Sequence, residues 1–158
     1  VYSNGIEARK KNERKLYRKK VKMNGWSLLH HLKINDVMVH FIKGHNIDKN
    51  TITTEREMYW KKTGILDKKK KMKVPDLVIE KDKKLIAIEV EESKKSKAKL
   101  RSVFTNYSLY TSFYCVIYLC PTEGQKNYVR RIAEEEDRSF ISAYTLTEFF
   151  SGVDVIGF

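Results

Sequence analysis

The stretch KVPDLVIEKDKKLIAIEVEESKKSK, residues 73–97, decides the fold. It holds two apolar runs split by a charged turn, the pattern of an antiparallel hairpin. The second run, Leu85 to Glu91, reads as a strand, and strand side chains alternate faces. Ile86, Ile88 and Val90 then point one way, and Leu85, Ala87, Glu89 and Glu91 the other. With the turn centred near Asp82, antiparallel pairing sets Asp76 level with Ile88 or Glu89. Asp76, Glu89 and Glu91 converge at one edge of the hairpin. Acids grouped in this way repel one another, and the common reason for keeping them is a hard divalent cation bound through oxygen. A solvated strand end is the plainer explanation of Glu-x-Glu. The Pro75-Asp76 pair, the hairpin spacing and the lysines that follow weigh against it.

The flanking sequence is basic on both sides. Thr54-Glu55-Arg56-Glu57 is a capping box, with Thr54 as N-cap and Glu57 at the third helical position. That accounts for Glu57 and leaves Glu55 without a purely local role. Between it and the hairpin lies a lysine loop, Lys61 to Lys73, with Lys68, Lys69, Lys70, Lys71 and Lys73 against a single Asp67. On the other side a helix is expected from about Ser93 to Tyr110, burying Leu100, Val103, Phe104 and Tyr107. Lys94, Lys95, Lys97, Lys99 and Arg101 crowd its first turns, where cations oppose the helix dipole. A local penalty of this kind suggests function.

Further out, residues 27–44 show helical spacing in two clusters, Leu28, Leu29, Leu32 and then Val37, Met38, Phe41, Ile42, with Asn35 as an N-cap between two helical pieces and Gly44 as a stop. His30, His31, His40 and His45 match no ligand spacing and read as packing or surface residues. After the central helix come a strand at Tyr114 to Cys120, a helix from Pro121-Thr122 to about Glu136, a strand near Phe140 to Tyr144 and a short helix at Thr147 to Phe150. The tail, Val153 to Phe158, reads as a last edge strand. The order α–ββ–α–β–α–β predicts an α/β fold, a mixed sheet flanked by helices.

The chain has 158 residues and a net charge of +12, with an isoelectric point near 9.6. One domain of this length can build a real core. Such a charge surplus favours polyanions, nucleic acid first and an anionic membrane surface second. No apolar run approaches the roughly 18 to 20 residues of a membrane span. Cys115 and Cys120 fall on opposite faces of one strand, so no bridge between them is expected, and two free thiols fit a reducing cytoplasm. Residues 1–26 form a basic arm or linker, including Lys10, Lys11 and Arg14, either solvated or tracking phosphates. Residues 27–158 form the α/β domain.

Pro75-Asp76 on one strand and Glu89-Val90-Glu91 on the next resemble the signature of the PD-(D/E)xK nuclease superfamily. Glu91 stands where that pattern expects lysine. Over residues 27–135 the order of LLHHLKINDVMVHFI, TTEREMYW and the hairpin resembles the replication-relaxation family of plasmids and conjugative elements, in which a nuclease-like domain follows a winged helix. VYSNGIEAR is similar to the end of such a winged helix, so the chain is expected to be a C-terminal piece of a longer protein. The resemblance implies a restriction-endonuclease-like fold. It also implies Mg²⁺ or Mn²⁺ held by Asp76, Glu89 and the Val90 carbonyl, with Glu55 orienting a second ion. Glu91 then accepts the water's proton or binds metal, and Lys94 or Lys97 replaces the missing positive charge. Lys68 to Lys71, Lys73, Lys95, Lys99 and Arg101, with the arm, would hold DNA. Three functions stay open: DNA binding for a mobile element on a scaffold whose catalysis has decayed, with partners in the plasmid or transfer machinery; active metal-dependent cleavage; or a protein-interaction domain.

Overall fold

A computed structural model describes residues 25–60, 73–110 and 113–157. Lys10, Lys11, Arg14 and the loop residues Lys68, Lys69, Lys70 and Lys71 lie outside them. The chain divides into two compact units, Val1–Leu32 and Lys33–Phe158. Of the first, the described part is the opening of helix α1 (Gly25–Gly44). Leu28, Leu29 and Leu32 are exposed there, and the His30 and His31 rings meet edge to face at 6.2 Å.

In the second unit the rest of α1 is followed by a 3-10 turn, Lys49–Thr51, then β1 (Ile52–Thr54), α2 (Glu55–Trp60), β2 (Leu77–Lys81) and β3 (Lys84–Val90). After these come α3 (Lys97–Tyr110), β4 (Phe113–Cys120), α4 (Glu123–Glu135), β5 (Ile141–Thr145) and α5 (Leu146–Phe150). The strands form one sheet in the order β1-β2-β3-β4-β5. β1, β2 and β3 pair antiparallel, and β3, β4 and β5 pair parallel. The fold is α/β, a five-stranded mixed sheet flanked by helices, consistent with a restriction-endonuclease-like architecture.

The hairpin turns where the charges predict. Lys81 pairs with Lys84, and both intervening residues, Asp82 (φ 51) and Lys83 (φ 64), are left-handed. Two positive φ values match the twist of the flanking strands, which is why such turns close tight hairpins. The alternation also holds. Leu77, Ile79, Ile86, Ile88 and Val90 join Ile34, Val37 and Phe41 of α1, Phe149 of α5 and Val155 and Ile156 of the tail in one core. Ala87 faces the other side, with Leu100, Val103, Phe104 and Tyr107 of α3 and Val129, Ile132 and Ala133 of α4. A smaller cluster joins Met58, Val74 and Val78. Cys115 packs with the first core and Cys120 lies in the second, both as free thiols.

Four elements differ from the sequence reading. Helix α1 runs unbroken past Asn35. Asn35 is exposed, while Ile34, Val37 and Phe41 form one buried stripe, so packing on a single side keeps the helix continuous. Helix α3 starts at Lys97 rather than Ser93. Ser96 takes the position before it, its Oγ accepting from Lys99 N at 3.3 Å, and this leaves Lys94 and Lys95 outside the helix. Among its described residues, 153–157, the tail forms no strand: Asp154 Oδ1 accepts from Ile156 N at 3.1 Å, and Lys81 Nζ donates to Ile156 O at 3.1 Å. Strand β1 is short, at three residues, and had no clear alternation to reveal it. Among the described residues no helix is long and apolar enough to cross a membrane.

Candidate functional site

The hairpin register sets the site. Leu77 faces Ile88, and one step further along places Asp76 beside Glu89. Glu89 is in turn level with Tyr118 of β4. Asp76 and Glu89 share the face that carries Ala87, under helix α3. Both are buried, at 8% and 2% exposure, as is Glu91 at 3%. Carboxylates this deep in a fold need partners, and the partners define what the site can do.

Asp76 Oδ2 accepts a hydrogen bond from Val90 N at 2.7 Å, tying β2 to the end of β3. Its carbonyl accepts from Glu55 N at 3.0 Å, which fixes the start of α2 against the hairpin. The capping box forms as read: Thr54 N donates to Glu57 Oε2 at 3.0 Å, and Glu57 N donates to Thr54 Oγ1 at 3.3 Å. Glu55 is thereby brought beside the acids by the local chemistry of its own helix end.

Glu89 Oε1 accepts from the Tyr107 hydroxyl of α3 and from Lys73 Nζ at 2.9 Å. Lys73 Nζ also donates to Val74 O at 2.8 Å, and Lys73 N donates to Asn106 Oδ1 at 2.5 Å. The last residue of the lysine loop is therefore anchored from both its backbone and its side chain. Burial pushes the Glu89 carboxyl up to about 7; the Lys73 ammonium opposes this, and the nearby Asp76 charge adds to it. Burial alone would lower the Lys73 ammonium, but Glu89, Asp76 and Glu55 together outweigh it and raise it. Near neutral pH the site is a lysine held among three acids, with Glu89 close to its own titration point.

Glu91 is separate. Its backbone N–H donates to Leu119 O at 2.9 Å, and its side chain pairs with Lys95. Lys94 and Lys97, expected near the acids, go elsewhere. Lys94 Nζ lies 4.5 Å from the centre of the Tyr128 ring, and Lys97 pairs with Glu135 at 2.5 Å. Arg101 pairs with Glu136 at 2.5 Å, and Lys99 is exposed. Lys73 and Lys95, read as DNA contacts, pair with Glu89 and Glu91.

Two tyrosines escaped the sequence reading as site residues. Tyr107 was legible only as part of the buried face of its helix, and its hydroxyl reaches Glu89. Tyr118 lies beside Glu89, and its buried hydroxyl has no hydrogen-bond partner among the described residues. Burial raises both phenols above their ordinary range, with the Glu89 charge as the next cause, so both remain protonated. The thiol of Cys120 is pushed up to about 12, by burial and then by Glu91, which removes it from nucleophilic chemistry.

Asp76 and Glu89 offer the hard oxygen donors that Mg²⁺ and Mn²⁺ prefer. Their number is small, however, and Glu89 already holds an ammonium. Among the described residues no group of three or more His, Cys, Asp or Glu side chains is placed to hold a metal ion. The donor type fits a divalent cation; the arrangement fits one only with Lys73 moved from Glu89. Comparison with family models, curated proteins and solved structures finds no match to this chain.

Proposed function

We propose that this chain is a DNA-binding domain on a restriction-endonuclease-like scaffold, serving the replication or transfer of a mobile element. The surplus of 32 basic over 20 acidic residues supports a polyanionic partner. One observation favours binding over turnover: Lys73 Nζ lies 2.9 Å from Glu89, the carboxylate a metal would need. With Lys95 on Glu91, two carboxylates of the acidic edge are paired with the protein's own cations. That pairing reduces the charge a metal would otherwise offset when a phosphate backbone approaches.

The same lysine supports a second reading, active cleavage. The resemblance expects an ammonium near the two metal-ligating acids, and Lys73 supplies one from the strand side in place of position 91. Held by Asp76 and Glu89, with the Val90 carbonyl by analogy, a Mg²⁺ or Mn²⁺ ion would polarise a phosphate oxygen and supply hydroxide at neutral pH. Lys73 would have to leave Glu89, and Tyr107 would keep that carboxylate oriented.

Nicking of supercoiled plasmid in Mn²⁺ or Mg²⁺ separates the two readings. Under the first, the wild-type protein retards the plasmid without nicking it, and Glu89→Ala binds equally well or more tightly because one negative charge is gone. Nicking by wild type that Glu89→Ala abolishes would replace the first reading with the second.

A further inference from the structure

Lys94 is one of the cations that the acidic edge does not use. Three positions past Glu91 it reaches over the Tyr128 ring of α4, its Nζ 4.5 Å from the ring centre. Arg131, one turn beyond Tyr128 on the same helix face, sets its guanidinium 5.5 Å from that centre. Lys94, Gly124, Asn127, Tyr128 and Arg131 line a cavity of about 330 Å³. No carboxylate is among these lining residues. Glu123 pairs with Lys126 at 2.7 Å, and Glu135 takes Lys97 at 2.5 Å while standing 3.9 Å from Arg131. At Gly124 an added Cβ would meet nothing within 4 Å, so the cavity is open on that side.

An aromatic ring with two exposed cations near it, and an amide alongside, matches the chemistry of one nucleotide. The ring accepts a base by stacking as a covering cation moves off its face to the phosphate, and Asn127 offers a donor and an acceptor to a base edge. The volume is at the small end for ligand sites and suits a single base with its phosphate. In duplex DNA both faces of each base are already stacked, so only an unpaired segment can present a face to Tyr128.

We infer that Lys94, Tyr128 and Arg131 form a subsite for one unstacked nucleotide of single-stranded nucleic acid. The inference rests on the nucleic-acid reading of the molecule and not on cleavage. The test is fluorescence anisotropy with a labelled 12-nucleotide single strand, its fully abasic counterpart and a duplex. Tyr128→Leu is expected to weaken binding of the base-bearing strand about tenfold and to leave the abasic strand and duplex unchanged. Tyr128→Phe keeps the ring and is expected to bind as wild type. Lys94→Ala with Arg131→Ala is expected to weaken the base-bearing and abasic strands together and to reduce the salt slope by about one to two. Tyr128→Leu binding the base-bearing strand within twofold of wild type, or losing the abasic strand equally, overturns the subsite alone. Wild type binding none of the three probes overturns the nucleic-acid reading and the subsite with it.

Discussion

Lys73 and Glu89 form an ion pair with little access to water, and its cost and its use come from the same physics. The Glu89 carboxyl is raised from 4.5 to about 7, so the folded state binds its proton more tightly than the unfolded chain does. That stabilisation is complete below about pH 4.5 and is lost as pH rises through 7. Wild type should therefore lose of order 3 kcal/mol between pH 4 and pH 8 from this group, and Glu89→Gln should show a shallower fall in urea titrations across that range. Lys73→Ala removes the cation opposing the shift. It should cost about 2–4 kcal/mol at pH 8 and much less at pH 5, where the proton can neutralise Glu89 instead. An equal cost at both pH values would mean that the pair is not coupled to that proton. Glu91→Lys sets a second ammonium beside Lys95 in a buried position. It should be strongly destabilising alone, and Glu91→Lys with Lys95→Glu should recover most of the loss on thermal unfolding. The acids of this site were legible in the sequence because strand alternation and hairpin register are local rules. Their partners were not. Lys73 is one lysine among many in its loop, and only the tertiary positions of Asn106 and Glu89 single it out.

At the scale of elements, the turn between β2 and β3 carries the clearest strain. Lys83 at φ 64 holds a side chain in a region that costs an ordinary residue about 1–2 kcal/mol. Lys83→Gly should stabilise the fold by about 1 kcal/mol with the hairpin unchanged, read as a rise in the urea midpoint at constant slope. No gain would mean that the turn is set by something other than backbone strain. The same element shows why most of the fold was readable: Ile86, Ile88 and Val90 against Ala87 and Glu89 can sit in the sheet in only one register. Where reading failed, a second influence outweighed the local signal. Packing of Ile34, Val37 and Phe41 carried α1 through Asn35, and Ser96 moved the start of α3 past Lys94 and Lys95. Residues Val155 and Ile156 are buried without pairing as a strand, because a tail can fill a core with side chains alone.

Across the whole molecule, buried acids with lysine partners sit within a chain of net charge +12. Charge of that size would make association with a polyanion a counterion-release process. Each phosphate neutralised contributes a slope of about −0.9 in log K against log salt on duplex DNA. With Glu89 and Glu91 paired to Lys73 and Lys95, the acidic edge should not impose a requirement for metal on that binding. The most direct test is the affinity for duplex DNA over a salt series, measured in EDTA and again in Mn²⁺. The account predicts binding in EDTA, little changed by Mn²⁺ and falling steeply and linearly on logarithmic axes as salt rises. Binding that appears only with Mn²⁺, or that salt does not weaken, would contradict it.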